Sequence, residues 1–191
     1  MQKPVIQCIL AAGESRRMGS VKALIELHYK SLLQHHIEGF NGVSIVVLGC
    51  HKERILQSVN IENFVYNDHW KNGQFSSIQR VLAEIPKGFD AFILPVDHFP
   101  IQSSTYIELM NSRKDEFSVI QPHKNGKNGH PVLLSEKFIQ EIIKSNPKNN
   151  RLDHLIRQIP VTAKVLKEVE DSACYQDLNL PSSINEEIDA Y

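Results

Sequence analysis

The sequence lacks the two best-known phosphate-binding signatures. It contains no GxxxxGK[ST] segment, which excludes a P-loop, and no GxGxxG segment, so a dinucleotide-binding fingerprint is not supported. No stretch approaches the ~18 apolar residues of a membrane span, and no basic N-terminal region precedes a long apolar run. We therefore expect neither a membrane-spanning segment nor a signal peptide.

Cysteine is scarce and the charges are balanced. Cys8, Cys50 and Cys174 lie far apart and form no CxxC pair, so neither a disulfide framework nor a structural zinc site is indicated. The 21 basic and 22 acidic residues give a net charge of −1, which offers no broad surface for nucleic acid or an anionic membrane. Any anion site must be local, and a reducing cytoplasm is the expected compartment.

The most informative segment is residues 4–22, PVIQCILAAGESRRMGSVK. An apolar run over residues 5–10 predicts a buried strand, and the small residues that follow let the backbone turn tightly and approach a ligand. Successive N–H groups in such a turn can bind an anion. The segment then adds a hydroxyl and three cations, from Ser15, Arg16, Arg17 and Lys22. The pattern favours a phosphate-binding loop, although a strand, a turn and solvated arginines would share it.

Strand-like and helix-like segments alternate along the 191 residues, of which 41% are hydrophobic. This length suits one α/β domain. The alternation predicts a three-layer, Rossmann-like fold with a mostly parallel sheet, whose strands end at one edge together with the 11–22 loop. The predicted strands are 5–10, 43–48, 63–66, 91–96, 117–121 and 161–169, and the predicted helices are 31–40, 51–59, 78–85, 105–112, 136–144 and 149–159.

Asp97 and the serine pair at 76 and 77 are further candidates near this edge of the predicted sheet. Asp97 ends the apolar strand over 91–96, where a carboxylate can hold Mg²⁺ together with phosphate oxygens and water. A helix cap or a turn is the commoner use of such an aspartate. Ser76 or Ser77 is expected to cap the helix over 78–85.

The segment LAAGESRRMGSVK resembles the LAAGxSxRMGxxK signature of MobA-like nucleotidyltransferases, which move a nucleotide from a nucleoside triphosphate onto a phosphorylated acceptor. The matching residues are Leu10, Ala11, Ala12, Gly13, Ser15, Arg17, Met18, Gly19 and Lys22. The resemblance runs from about residue 5 to about residue 181. It implies that this loop binds the triphosphate and that Arg17 and Lys22 also act in catalysis.

The resemblance also implies roles for later residues. The nucleotide contacts would include Asn72, Gly73, Ser76 and Ser77. Asp97 would act in catalysis and bind the metal, although the family's D-x-P motif is altered here because Pro100 comes one place late. The family's closing D-I-D-T-P pattern is matched only in its first half by DLNLP, so Asp177 or Asn179 would supply a second metal ligand, or the segment would be a plain turn.

The segment GKNGHPVL at 126–133 is similar to the G-x-x-G-H-P-V-L pattern of molybdenum cofactor cytidylyltransferases within this family. That likeness places His130 on the acceptor side of the cleft. It implies CTP as donor, Mg²⁺ as cofactor and molybdopterin as acceptor, with the product passed to a molybdoenzyme or its chaperone.

Three alternatives stay open. The chain could transfer nucleotides to a sugar phosphate or an alcohol phosphate, or it could bind nucleotide or molybdopterin without catalysis. The third is a nucleotide-sugar glycosyltransferase, which usually needs a D-x-D metal motif, and Asp97-His98-Phe99 lacks it.

Overall fold

The structure is a computed structural model that describes residues 3–15, 20–147 and 150–178. The strands are β1 Val5–Ala11, β2 Glu26–Leu27, β3 Lys30–Ser31, β4 Val43–Leu48, β5 Phe64–Tyr66, β6 Asp90–Pro95, β7 Val119–Lys124, β8 Lys127–Asn128, β9 Val132–Leu134 and β10 Lys164–Lys167. The α-helices are α1 Leu32–Gly39, α2 Lys52–Ser58, α3 Gln74–Leu82, α4 Ser103–Asn111, α5 Glu136–Lys144 and α6 Leu152–Gln158. None of the described helices has the length and apolar character needed to cross a bilayer.

Eight of the described strands form one sheet. Its order is β10-β7-β9-β6-β1-β4-β5, and β8 pairs with β7 outside this path. The pairs β1–β4, β1–β6, β4–β5 and β7–β10 are parallel, whereas β9 is antiparallel to both β6 and β7. The predicted mostly parallel sheet is confirmed. Because β1, β4, β5 and β6 run in the same direction, their C-terminal ends meet at one edge.

Helices cover both faces of the sheet, as the three-layer prediction requires. Successive side chains of a strand point to opposite faces, and β1 shows this directly. Cys8 is fully buried and belongs to the core that includes residues of α3 and α5 and against which α6 packs, whereas Ile9 belongs to the core with residues of α1 and α2. Phe92 of β6 packs with α4 on that second face.

The start of α3 differs from the prediction. The helix spans Gln74–Leu82 rather than 78–85, so Ser76 and Ser77 lie inside its first turns and neither caps it. Gly73 occupies the N-cap position with φ of 93°, a left-handed conformation that suits glycine. The Ser76 hydroxyl donates to the carbonyl of this N-cap residue at 2.8 Å, so it does not accept a backbone N–H as a capping side chain would.

Candidate active site

A cavity of about 560 Å³ opens at the edge where β1 and β6 end. The predicted phosphate-binding segment after β1 forms one side of the cavity. The segment that leads into α3, together with the start of α3, forms another side. Its lining consists of Leu10, Ala11, Ala12, Gly13, Glu14, Ser15, Val21, Lys22, Ala23, Trp70, Lys71, Gly73, Gln74, Ser77, Pro95, Val96 and Asp97. The fold therefore brings most of the predicted site residues to one concave surface.

The loop that follows β1 is held by contacts at both of its ends. Ser15 adopts the left-handed conformation, with φ of 55°, and its hydroxyl accepts a hydrogen bond from the Lys22 backbone N–H at 3.3 Å. His51 donates through Nε2 to the Glu14 carbonyl at 3.0 Å, and the Cys50 N–H donates to the Ala12 carbonyl at 3.1 Å. Arg17, which the sequence places in this loop, lies outside the described residues.

Gly49 sits at the end of β4 between the two walls of the cavity. A Cβ atom at this position would lie 2.5 Å from the Ala12 carbonyl oxygen and 2.9 Å from the Trp70 Cβ. Any side chain would therefore push the loop after β1, called the phosphate loop below (residues 11–15), away from the Trp70 segment. Glycine is needed here for close approach rather than for an unusual backbone angle.

Lys22 and Asp97 meet inside the cavity. The Lys22 ammonium lies 2.8 Å from Asp97 Oδ2, and the two side chains are only 16% and 27% exposed. Asp97 lies two residues beyond β6, so the strand carries its carboxylate to the edge where the phosphate loop begins. The pairing joins two of the three predicted catalytic residues at one point.

The segment that contains Asp177 pairs with the segment that contains Asp97. The Leu178 N–H donates to the Asp97 carbonyl at 2.7 Å, and Asp177 forms an isolated antiparallel bridge with His98. The backbone segments that carry Asp97 and Asp177 are thus adjacent. Among the residues the structure describes, no group of three or more His, Cys, Asp and Glu side chains is arranged to hold a metal ion. Asn179, the other predicted ligand, lies outside those residues.

Two of the four residues predicted around the nucleotide line the cavity. Gly73 and Ser77 do so, whereas Asn72 is exposed and Ser76, which is half-buried, does not line the cavity. The Asn67 amide donates to both serine hydroxyls at 3.0 Å. Sequence reasoning missed Asn67. The signal that could have found it is an amide side chain directly after a strand that ends at this edge.

His130 does not line the cavity. Its ring lies 4.8 Å from the His98 ring, centre to centre, and its Nδ1 lies 3.4 Å from the Ile93 carbonyl oxygen. Burial lowers the pKa of His130 to about 4, and repulsion from His98 adds to the fall. The ring is therefore neutral at pH 7, and its predicted contact with the acceptor stays a prediction.

The cavity has two chemically different ends. The phosphate loop, Lys22 and Asp97 offer backbone dipoles, a cation and a carboxylate, which suit phosphate groups and a divalent cation. The wall with Trp70, Gly73 and Ser77 offers an aromatic side chain and a hydroxyl. Such a cavity fits a nucleotide with its phosphates against the loop and its nucleoside against this wall.

Comparison with known proteins agrees with this geometry. The sequence profile of the MobA-like NTP transferase domain matches residues 7–164. A curated relative, the molybdenum cofactor guanylyltransferase of Vibrio campbellii, is 26% identical over 182 residues, covering 92% of this chain and 91% of the relative.

Two solved structures share the fold over nearly the whole chain. Rv0371c from Mycobacterium tuberculosis H37Rv has a TM-score of 0.81 at 15% identity and covers 99% of this chain and 100% of its own. Molybdopterin-guanine dinucleotide biosynthesis protein A from Archaeoglobus fulgidus has a TM-score of 0.75 at 15% identity, with 97% of each chain covered.

Proposed function

Because this chain belongs to the MobA-like NTP transferase family, a family of nucleotidyltransferases, we propose that it transfers CMP from CTP to the phosphate of molybdopterin, uses Mg²⁺ and releases pyrophosphate. The observation that carries the proposal is the Lys22–Asp97 pair at 2.8 Å inside the cavity formed by the phosphate loop. A cation and a metal-binding carboxylate are the groups that such a transfer needs at the α-phosphate.

The proposed reaction makes one P–O bond and breaks another. An oxygen of the acceptor phosphate attacks the α-phosphorus, the bond from this phosphorus to the bridging oxygen breaks, and the electron pair leaves with pyrophosphate. The acceptor is already ionised near neutral pH, so the main barrier is repulsion between anions and charge on the leaving group. Backbone N–H groups of residues 11–15, Arg17 and Lys22 lower this barrier by positioning and neutralisation.

The residues present suit a magnesium ion at the phosphate end. Asp97 would hold it together with Asp177 or Asn179, because Mg²⁺ takes one or two carboxylates and completes its shell with phosphate oxygens and water. When bound, the ion supplies positive charge that stabilises the attacking and leaving oxygens. The pairing of the Asp97 and Asp177 segments supports this assignment.

GTP is the second candidate donor. The choice of CTP rests on the resemblance of the segment 126–133 to cytidylyltransferases. The curated relative from Vibrio campbellii is named a guanylyltransferase, and it aligns with 92% of this chain. The two donors differ only in the base, so the same phosphate chemistry serves both.

The cell compartment and the fate of the product are also proposals. The three cysteines are all free thiols, two of them buried, which favours a reducing cytoplasm. Transfer of the product to a molybdoenzyme or its chaperone is proposed from the family resemblance alone.

The test is pyrophosphate release by the purified chain with Mg²⁺, each of CTP, GTP, ATP and UTP, and as acceptor molybdopterin, a sugar phosphate or an alcohol phosphate in separate reactions. We expect release with CTP, its loss in Asp97→Asn, and its retention in Asp115→Asn, which changes an exposed aspartate outside the cavity. Release with GTP alone would identify GTP as the donor. Release only with a sugar phosphate or an alcohol phosphate would identify a different acceptor. Nucleotide binding with no release for any acceptor would make the chain a binding module and overturn the proposal.

A further inference from the structure

We propose that Asn67 is a positioning residue that directs the Ser77 hydroxyl toward the nucleoside part of the bound triphosphate. The inference rests on the proposed function, and it assigns a role to a residue that makes no contact with the substrate itself. Asn67 follows β5 at the cavity edge and is 3% exposed. It does not line the cavity, whereas Ser77 does.

Asn67 is fixed by the backbone around it. Its N–H donates to the Leu48 carbonyl at 2.9 Å, which ties it to the end of β4. Its side-chain Oδ1 accepts from the His69 N–H at 3.0 Å, and its carbonyl accepts from the Trp70 N–H at 3.2 Å. These three bonds leave the amide Nδ2 in one orientation, with both of its hydrogens pointing at the start of α3.

The two hydrogens of Nδ2 meet the two serine hydroxyls, and the serines differ in what they do next. Ser76 Oγ lies 3.1 Å from the His69 carbonyl and 2.8 Å from the Gly73 carbonyl, so its own proton is used inside the protein. Ser77 also accepts from Asn67 at 3.0 Å. In the part of the chain that the structure describes, the Ser77 hydroxyl donates no hydrogen bond to another residue.

A hydroxyl that accepts one hydrogen bond has its proton turned away from that donor. Because Ser77 lines the cavity, its proton is available to an acceptor atom of a ligand there. The phosphates are assigned to the opposite end, beside Lys22 and Asp97. The partner of Ser77 is therefore an oxygen or nitrogen of the ribose or the base.

The decisive variant is Asn67→Asp, which keeps the shape of the side chain and exchanges its donor group for an acceptor. The new carboxylate would take the Ser77 proton, so the hydroxyl would no longer donate to the nucleotide. Loss of one hydrogen bond predicts a rise in the dissociation constant of CTP, or of GTP if that is the donor, of about 3- to 10-fold. The measurement is isothermal calorimetry of the nucleotide without acceptor, so it does not depend on turnover.

Ser77→Ala removes the hydroxyl alone and should weaken nucleotide binding to the same extent. The double variant should bind nucleotide no more weakly than either single variant, because the two substitutions remove the same hydrogen bond. In turnover, the KM for the nucleotide should rise by the same factor while the KM for the acceptor stays within about twofold. Asn60→Asp, at an exposed asparagine outside the cavity, is the matched control and should bind like the unmodified protein.

Two results would overturn the positioning role. One is Asn67→Asp binding nucleotide as tightly as the unmodified protein. The other is weaker binding in Asn67→Asp with none in Ser77→Ala, which would show a general disturbance of the wall. If the unmodified protein binds nucleotide but releases no pyrophosphate, the proposed function fails while these binding ratios still decide the role of Asn67.

Discussion

At the scale of single residues, the central feature is the Lys22–Asp97 pair. Both side chains are largely shielded from water, so solvent and salt screen this pair less than they screen an exposed ion pair. The pair lies just beyond the end of β6, beside the loop that follows β1. In the proposed reaction, Lys22 would face developing negative charge and Asp97 would offer oxygen atoms to a cation.

Lys22→Met should lower kcat by about 100-fold, because the ammonium acts on charge that builds up in the transition state. The KM for the acceptor should change much less. Steady-state kinetics of pyrophosphate release would measure both. Lys87→Met, which removes an exposed lysine outside the cavity, should leave both constants unchanged, and an unaltered kcat in Lys22→Met would remove Lys22 from the site.

The residue types that the sequence pointed to are brought together by the fold. Gly13, Ser15, Lys22 and Asp97 all line the cavity, and their contact with a nucleotide stays a prediction. The place of Asn67 directly after a strand was a signal, but its contacts with Ser76 and Ser77 depend on where α3 begins, and the sequence pattern put that start too late. Ser76 and Ser77 were placed before the helix, and that prediction was wrong because Gly73 already provides the turn into the helix.

At the scale of elements, the end of β4 fixes the distance between the two walls of the cavity. A Cβ atom at Gly49 would lie 2.5 Å from the Ala12 carbonyl oxygen and 2.9 Å from the Trp70 Cβ on the opposite wall, so only glycine leaves room for both. His51, two residues later, donates to Glu14. A short stretch of chain therefore sets the width of the site although it supplies no lining residue.

Gly49→Ala should lower the free energy of unfolding by about 1–3 kcal/mol, because the new methyl group would lie 2.5 Å from a backbone oxygen that cannot move freely. Urea unfolding would measure the loss. Gly13→Ala is the matched comparison, since nothing lies within 4 Å of a Cβ there. It should leave stability unchanged and weaken nucleotide binding, because Gly13 lines the cavity. Equal stabilities for the two variants would contradict this account.

The element order was largely predictable, and strand direction was less so. Apolar segments that alternate with amphipathic ones predict parallel strands, because the connection between two parallel strands is usually a helix. The antiparallel strand Val132–Leu134 and the two-residue strand Lys127–Asn128 were not predicted. Their segments are too short to carry a periodic pattern, and the structure forms its turn at Asn125-Gly126, the first of two Asn-Gly pairs in this segment.

At the scale of the whole molecule, a buried histidine links stability to pH. His36 is 1% exposed beneath the cavity edge and donates to the Val96 carbonyl at 3.3 Å. Burial lowers its pKa to about 4 from the ordinary value of 6.5. Below pH 6.5 the unfolded chain therefore binds a proton that the folded chain does not, so stability falls as the pH drops toward 4.

Between pH 7 and pH 5 this one group should lower the free energy of unfolding by about 2 kcal/mol. Urea unfolding at the two pH values would show the difference. In His36→Leu the drop should be smaller by about that amount, because the titrating group is gone. The same drop in both proteins would show that His36 does not set the acid response.

The most direct test of the proposed reaction follows the α-phosphorus of the donor. The unmodified protein would be incubated with molybdopterin, Mg²⁺ and CTP or GTP labelled at the α-phosphate, and the products separated. Nucleotidyl transfer predicts that the label moves into the molybdopterin product, while the unlabelled β- and γ-phosphates leave together as pyrophosphate. Label that remains in a free nucleoside diphosphate or monophosphate, with none in the molybdopterin product, would contradict the account.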